Sequence, residues 1–328
     1  MIYGLLNAIL CFLLCVLLVP VVRYVVKKLG AGQNILEYVE EHKAKQGTPT
    51  MGGVAFLLSM LIGYFVFCAR GYNMYSLVAV ISACAFGLIG LLDDFIKVRL
   101  KHNMGLRAYQ KFGAQLALGI IIAIFVYKSE MLGSIVLLPG GGSINIGLWV
   151  VPLIVLVYLA LSNSVNLLDG LDGLSGSVTS VVVLVYTICM FVSCVGLSDM
   201  HSMLMQNLVI FSMGAFGAII GFLIYNSNPA SIFMGDVGSL GLGGLVASMM
   251  VLSRQYVLIF IVGAMYIVTT MSVILQVISF KLTKKRIFKM APFHHHLQQS
   301  GVKECKITAF YFIVTVVLGM ATIVIYVM

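Results

Sequence analysis

Apolar residues run through this chain in long, nearly unbroken stretches, separated by short polar segments that carry almost all of its charge. A helix needs about 20 apolar residues to cross the hydrocarbon core of a bilayer. Ten stretches come close to that length: roughly 2–26, 52–69, 75–92, 107–127, 148–166, 173–195, 203–225, 237–253, 256–280 and 307–327. The pattern predicts an all-α polytopic membrane protein with ten transmembrane helices in one integral domain spanning 1–328, without a soluble domain or a disordered linker. Strand character is confined to Ser134–Gly147, where two β-branched runs flank a glycine turn and predict a small hairpin. Arg23, Lys27 and Lys28 follow the first stretch and no basic leader precedes it, so it is expected to be a retained span, not a cleaved signal peptide.

Composition sharpens this picture. With 61% hydrophobic and 9% charged residues, the chain carries more apolar surface than a soluble domain of 328 residues can bury. Placing the N-terminus outside leaves only Arg70, Lys128 and Arg254 on that side and the other seventeen of the twenty basic residues inside. The positive-inside bias therefore predicts both termini outside, the hairpin outside and five basic cytoplasmic loops. The formal charge of +9 is then a cytoplasmic field, suited to anionic lipid headgroups and a polyanionic soluble substrate, with no nucleic-acid motif beside it. Lys284, Lys285, Arg286, Ile287 and Phe288 are expected in the headgroup layer. Six of the seven cysteines fall in or at the ends of apolar stretches and Cys305 stands in a loop, which reads as no disulfide framework.

The polar residues that interrupt the pattern fall on the cytoplasmic side, predicting a cleft there. Asp93-Asp94 closes the third stretch. At a helix C-terminus two carboxylates oppose the dipole and need a cation, whether Mg²⁺ or the nearby Lys97 and Arg99. In Asn166-Leu-Leu-Asp169-Gly-Leu-Asp172-Gly, each aspartate suits a helix cap, while the paired glycines suit close approach of a ligand. Asp236, opening the eighth stretch, has the same two readings, and Phe233 is either an interfacial aromatic or a platform for a base. Lys43-Ala-Lys45-Gln-Gly-Thr48-Pro-Thr50 places basic residues before a helix start, an anion site. His294-His295-His296 cannot all ligate one metal, because successive helical residues diverge by about 100°, and phosphate contact or proton handling suits them better. No Walker loop or dinucleotide fingerprint occurs, which excludes a P-loop ATPase, and the absence of charge from the helix interiors argues against a transporter. The set points to metal-dependent chemistry on a phosphorylated substrate.

Taken in order, Gly47-Thr-Pro-Thr-Met-Gly-Gly53, Asp93-Asp94-x-x-Lys97, Asn166-x-x-Asp169-Gly-x-Asp172-Gly, Phe233-Met-Gly-Asp236-x-Gly-Ser239 and Pro292-x-His-His-His296 resemble the phospho-N-acetylmuramoyl-pentapeptide transferase family over all ten stretches. The aspartate motifs alone also fit the wider polyprenyl-phosphate N-acetylhexosamine-1-phosphate transferases, including the sister enzymes that act on UDP-N-acetylglucosamine. The Thr-Pro-Thr-Met segment and the histidine triplet point to the muramoyl-pentapeptide branch. Gln298 and Gly301-Val302 stand where family members usually carry a Glu and a Gly-Trp. The resemblance implies transfer of phospho-N-acetylmuramoyl-pentapeptide from its UDP derivative to undecaprenyl phosphate in a bacterial plasma membrane, with Mg²⁺, by a homodimer. It implies Asp236, Asp93 and Asp94 as metal-holding and catalytic residues, joined by His294. Asn166, Asp169, Gly170, Leu171, Asp172, Asn226 and Phe233 would form a uridine pocket, and Lys45, Thr50, Lys97, Lys111, His295 and His296 would handle phosphates.

Overall fold

The computed structural model describes residues 2–28, 47–100, 105–139 and 141–328. Lys45 lies outside them. The chain forms α1 (Ile2–Lys28), α2 (Gly53–Phe67), α3 (Met74–Leu100), α4 (Ala108–Lys128), β1 (Ile135–Leu137), β2 (Ser143–Asn145), α5 (Val150–Leu168), α6 (Leu174–Cys194), α7 (Met200–Asn226), α8 (Gly235–Leu252), α9 (Ile259–Val262), α10 (Ala264–Thr283), α11 (Phe293–Gln298) and α12 (Glu304–Val327). Among the described residues, nine helices are long and apolar enough to cross a membrane. The second expected span, α2, has 15 residues. It begins only after a segment that is paired with the start of α8, through Gly52 N–H to Phe233 O at 2.8 Å and Gly53 N–H to Met234 O at 2.9 Å. The ninth expected span is broken at Gly263, a residue with the weakest helix propensity after proline. The hairpin forms as expected, with Val136 opposite Ile144.

The bundle is organised around α8, in which every residue from Val237 to Leu252 is buried. Two glycine contacts let its neighbours approach at backbone distance: Gly53 of α2 lies against Gly238, and Gly90 of α3 lies against the main chain of Asp236. A side chain at either position would push the helices apart. A buried hydroxyl chain fixes the same layer, with Tyr158 Oη 2.9 Å from Ser248 Oγ and 3.3 Å from Ser82 Oγ. At the periphery, α1, α4, α10 and α12 present exposed apolar side chains such as Leu13, Ile121, Ile278 and Val317, the surface expected to face lipid.

Long-range hydrogen bonds define the two ends. At one, Tyr75 Oη meets His201 Nδ1 at 2.8 Å, Arg254 meets His201 Nε2 at 2.9 Å, and Leu137 N–H bonds Arg254 O. At the other, the ends of α3, α5, α7 and α10 meet the starts of α4, α6, α8 and α12. The third helix runs eight residues past its expected end, so Asp93 and Asp94 lie inside its final two turns and not at its C-terminus. Charged side chains thus occupy a helix interior, near its end.

Candidate functional site

The continuation of α3 puts Asp93 and Lys97 one turn apart, and their side chains meet at 2.6 Å, an i,i+4 pair on one helix face. Because Gly90 packs against the backbone of Asp236, that carboxylate is delivered to the same place from α8. Asp236 Oδ2 accepts from Lys97 Nζ at 2.9 Å and from Lys111 Nζ, on the first turn of α4, at 2.8 Å. Asp236 Oδ1 accepts from Asn166 Nδ2 at 2.8 Å, and the same amide donates to Ser239 Oγ at 2.8 Å. Main-chain donors pin the other two carboxylates: Leu106 N–H to Asp93 Oδ1 at 2.7 Å and Val237 N–H to Asp94 Oδ2 at 3.1 Å. The α3 carboxylates are buried and Asp236 is 18% exposed.

One oxygen from each of Asp93, Asp94 and Asp236 lies within 4.8 Å of the others. Three carboxylate donors, with no sulfur or imidazole among them, suit a hard divalent cation such as Mg²⁺. Asp236 does not cap its helix. Met234 holds the N-cap position, and Asp236 sits in the first turn facing the two lysines.

The α5–α6 turn also departs from the capping expectation. Gly173, in the left-handed region (φ +70°), is the N-cap of α6, and Asp169 is the C-cap residue of α5. Asp172 directs Oδ2 to Ala230 N–H at 3.0 Å and Asn228 Nδ2 at 3.2 Å, tying the turn to the α7–α8 loop. Asn226, buried, joins the same two segments, accepting from Gly173 N–H at 3.2 Å and donating to Ile232 O at 3.0 Å. Leu171 is buried beside them. Burial, and then the charges of Asp236, Asp94 and Asp172, hold the Asp169 carboxyl well above the usual carboxylate range.

Gly170 lies directly against His294 Nε2, and a β-carbon there would come within 3.0 Å of His295 Nε2. The three histidines diverge as their helix spacing requires. His294 is fully buried, against Tyr311 with ring centroids 6.4 Å apart. Burial, with a smaller push from His295, lowers its pKa to about 3, so it is a neutral imidazole. His295 Nδ1 faces Gln298 Oε1 at 3.1 Å. His296 turns to its own loop: its ring stacks on Phe293 and its Nδ1 accepts from Lys289 N–H at 3.2 Å.

Phe233 N–H bonds Pro49 O at 2.8 Å, which brings the Thr48–Gly53 segment against the start of α8. Phe233 itself is half-buried. Gly235 adopts φ +73°, and a β-carbon on it would lie 2.5 Å from Asp94 Oδ2 and 2.9 Å from Thr50 Oγ1, so Thr50 and the carboxylates converge there. Thus Asp93, Asp94, Asp236, Lys97, Lys111 and Asn166 form one bonded cluster, with Thr50 and Asp169 beside it. Leu171, Asp172 and Asn226 form a braced wall, and His294 and His295 close over Gly170. Sequence reasoning assigned no role to Leu106, Asn228, Ser239, Glu304 or Thr308. Lys284 to Lys289 form no helix after α10, and Gln276 holds this segment by accepting from Ile287 and Phe288 N–H at 3.0 Å. A separate cleft of about 740 Å³ opens there, with Val273, Val277 and Phe280 on its apolar wall and Lys281, Arg286 and Lys289 among its lining residues.

Comparison with known proteins identifies the family. Residues 74–254 match the model of glycosyl transferase family 4. Residues 45–57 match signature 1 of the phospho-N-acetylmuramoyl-pentapeptide-transferases. The chain is 41% identical over 320 residues to the phospho-N-acetylmuramoyl-pentapeptide-transferase of Clostridium novyi, covering 97% of this chain and 94% of that one. It is 38% identical over 320 residues to the protein of the same name from Clostridioides difficile, covering 97% and 96%. Against that of Halalkalibacterium halodurans it is 36% identical over 322 residues, again covering 97% and 96%. With 97% of its length shared with these relatives, this chain belongs to the phospho-N-acetylmuramoyl-pentapeptide-transferase family.

Proposed function

We propose that this protein transfers phospho-N-acetylmuramoyl-pentapeptide from UDP-N-acetylmuramoyl-pentapeptide to undecaprenyl phosphate, releasing UMP, in peptidoglycan synthesis. The observation that carries the reading is the meeting of three carboxylates and two lysines, from α3, α4 and α8, at one end of a membrane bundle. Phosphoryl transfer asks mainly for positioning and charge neutralisation. An oxygen of the lipid phosphate forms a bond to the sugar-bound phosphorus as that phosphorus parts from the UMP oxygen. Asp93, Asp94 and Asp236 would hold Mg²⁺, which when bound supplies charge neutralisation at the diphosphate. Lys97 and Lys111 present ammonium groups to the phosphates, and Asp93 or Asp94 takes the proton of the lipid phosphate; in the two-step alternative one of these carboxylates first bonds the phosphorus as UMP leaves, and the lipid phosphate oxygen then displaces the carboxylate. The Asn166–Asp172 turn, with Phe233, receives the uridine, and His294 and His295 bear on that turn at Gly170.

The basic loops support a cytoplasmic position for this end in a bacterial cell, where a soluble nucleotide can meet a lipid phosphate, and we propose that the enzyme acts as a homodimer in the plasma membrane. The test offers the purified protein UDP-N-acetylmuramoyl-pentapeptide or UDP-N-acetylglucosamine, with undecaprenyl phosphate and Mg²⁺, and measures UMP release. Release with the first donor alone is expected. Release with the second alone identifies the sister activity, and none with either overturns the reading.

A further inference from the structure

The α5–α6 turn is held from an unexpected direction. Both main-chain polar groups of Asp172 are bonded by side chains of α12, more than 130 residues away: Asp172 N–H donates to Glu304 Oε1 at 2.7 Å, and Asp172 O accepts from Thr308 Oγ1 at 3.2 Å. Glu304 and Thr308 are one helical turn apart and so share a face. Gly173, the N-cap residue of α6, offers no side chain to brace the start of that helix, and its N–H is engaged by Asn226. At the other end of the turn, Gly170 is covered by His294 and His295, on the short helix that leads into α12. Asp169, Gly170 and Leu171 are therefore gripped on both sides by the last third of the chain, while the Asp172 carboxylate fastens the α7–α8 loop.

Resting on the functional reading above, we propose that Glu304 and Thr308 are positioning residues that set the Asp169–Asp172 turn for the donor nucleotide. They act through the main chain of Asp172 and touch no reacting atom. The ordinary alternative is that Glu304 only places a negative charge at the positive end of α12. The two differ in one respect: the positioning role needs an acceptor oxygen, which Gln supplies, and the helix-end role needs the charge, which Gln lacks.

The test uses the full-length protein in lipid nanodiscs and compares Glu304→Ala, Glu304→Gln and Thr308→Val with wild type. Losing a charge-assisted bond to a main-chain N–H sets an expected rise in donor KM of about tenfold for Glu304→Ala. Thr308→Val, the milder variant, should raise it about threefold, by the neutral bond it removes. Glu304→Gln should stay within about threefold of wild type, and the KM for undecaprenyl phosphate should not move. Amide deuterium uptake across 169–174 should quicken in Glu304→Ala and not in Glu304→Gln. An unchanged donor KM with a lowered Tm, or Glu304→Gln as impaired as Glu304→Ala, overturns the proposal. Should wild type transfer no sugar phosphate at all, the functional reading falls, and the deuterium uptake decides the clamp by itself: unchanged uptake in Glu304→Ala refutes it.

Discussion

Asp236→Asn changes one oxygen to nitrogen at constant volume, so its effect is electrostatic. The carboxylate it replaces accepts from two ammonium groups, at 2.9 and 2.8 Å, through one oxygen and from Asn166 through the other. Removing one charge from a desolvated pair costs roughly 3–5 kcal/mol. Here Lys97 is 34% exposed, while Lys111 and Asp236 are each 18% exposed, so water recovers part of that in the resting protein and the loss of stability should be roughly 1–2 kcal/mol. The proposed reacting complex is different, because the diphosphate would exclude that water and the site would hold both a cation and developing charge. Deleting one preorganised electrostatic group there costs roughly 3–4 kcal/mol, a factor of about 10²–10³ in rate. UMP release from UDP-N-acetylmuramoyl-pentapeptide at saturating Mg²⁺ should fall to a hundredth of wild type or less, with Tm lowered by only a few degrees. A rate within threefold of wild type would reduce Asp236 to a structural partner of its lysines, and the carboxylate cluster would lose its claim to the chemistry.

Phe233→Ala should weaken UDP-sugar binding about 5- to 150-fold, the roughly 1–3 kcal/mol of base stacking, and spare the lipid KM; a rise in the lipid KM alone would make Phe233 an interfacial anchor. Gly235→Ala forces a side chain into the left-handed region and against Asp94 and Thr50, so it should lower transfer far more than it lowers Tm, and wild-type turnover would refute the convergence at that glycine. His294 is held neutral by burial, with a pKa of about 3 against about 6.5 unfolded. Its contribution is therefore whole above about pH 6.5 and lost as the pH falls toward 3; His294→Gln should flatten the acid limb of the Tm–pH curve, and a limb of unchanged slope would count against that burial. A cysteine at Ser143 should react with an impermeant thiol reagent in intact cells while Cys305, exposed at the carboxylate end, stays unlabelled; the reverse pattern inverts the orientation.

Nine of the ten expected spans were legible among the described residues because lipid demands unbroken apolar length, and the hairpin because β-branched residues flank glycine. The end of α3 was not legible, since polar residues normally mark where a span stops, yet Lys97 reaches back to Asp93 and the helix continues to Leu100. Nor was the break at Gly263, one glycine among 33. For the aspartates, residue type allowed both a cap and a ligand-holding role. What separates them is which residue occupies the N-cap position, Gly173 and Met234 here, and this depends on dihedral angles that the sequence pattern does not expose. Lys97 and Asp236 are 139 positions apart, so their pairing appears only once Gly90 is seen against Asp236. Glu304 and Thr308 escaped notice because they serve main-chain groups, and a main-chain partner leaves no mark in the sequence of the segment it holds.

The site combines two kinds of restraint, and the division is informative. The loops are fixed by hydrogen bonds to main-chain groups: Pro49 with Phe233, Asp172 with Ala230, Asn226 with Gly173 and Ile232. Asp93 and Asp94 each spend one oxygen on a main-chain N–H, which orients the carboxylate and leaves its second oxygen toward Lys97. Within the cluster three carboxylates face two ammonium groups, a formal net charge of −1. Asp169 adds little to that deficit, since burial and its acidic neighbours favour its protonated form. A divalent cation would turn −1 into +1, which is the sign a diphosphate requires. Two lysines without the carboxylates would attract phosphate but could not hold such a cation, and the carboxylates without the lysines would repel the substrate.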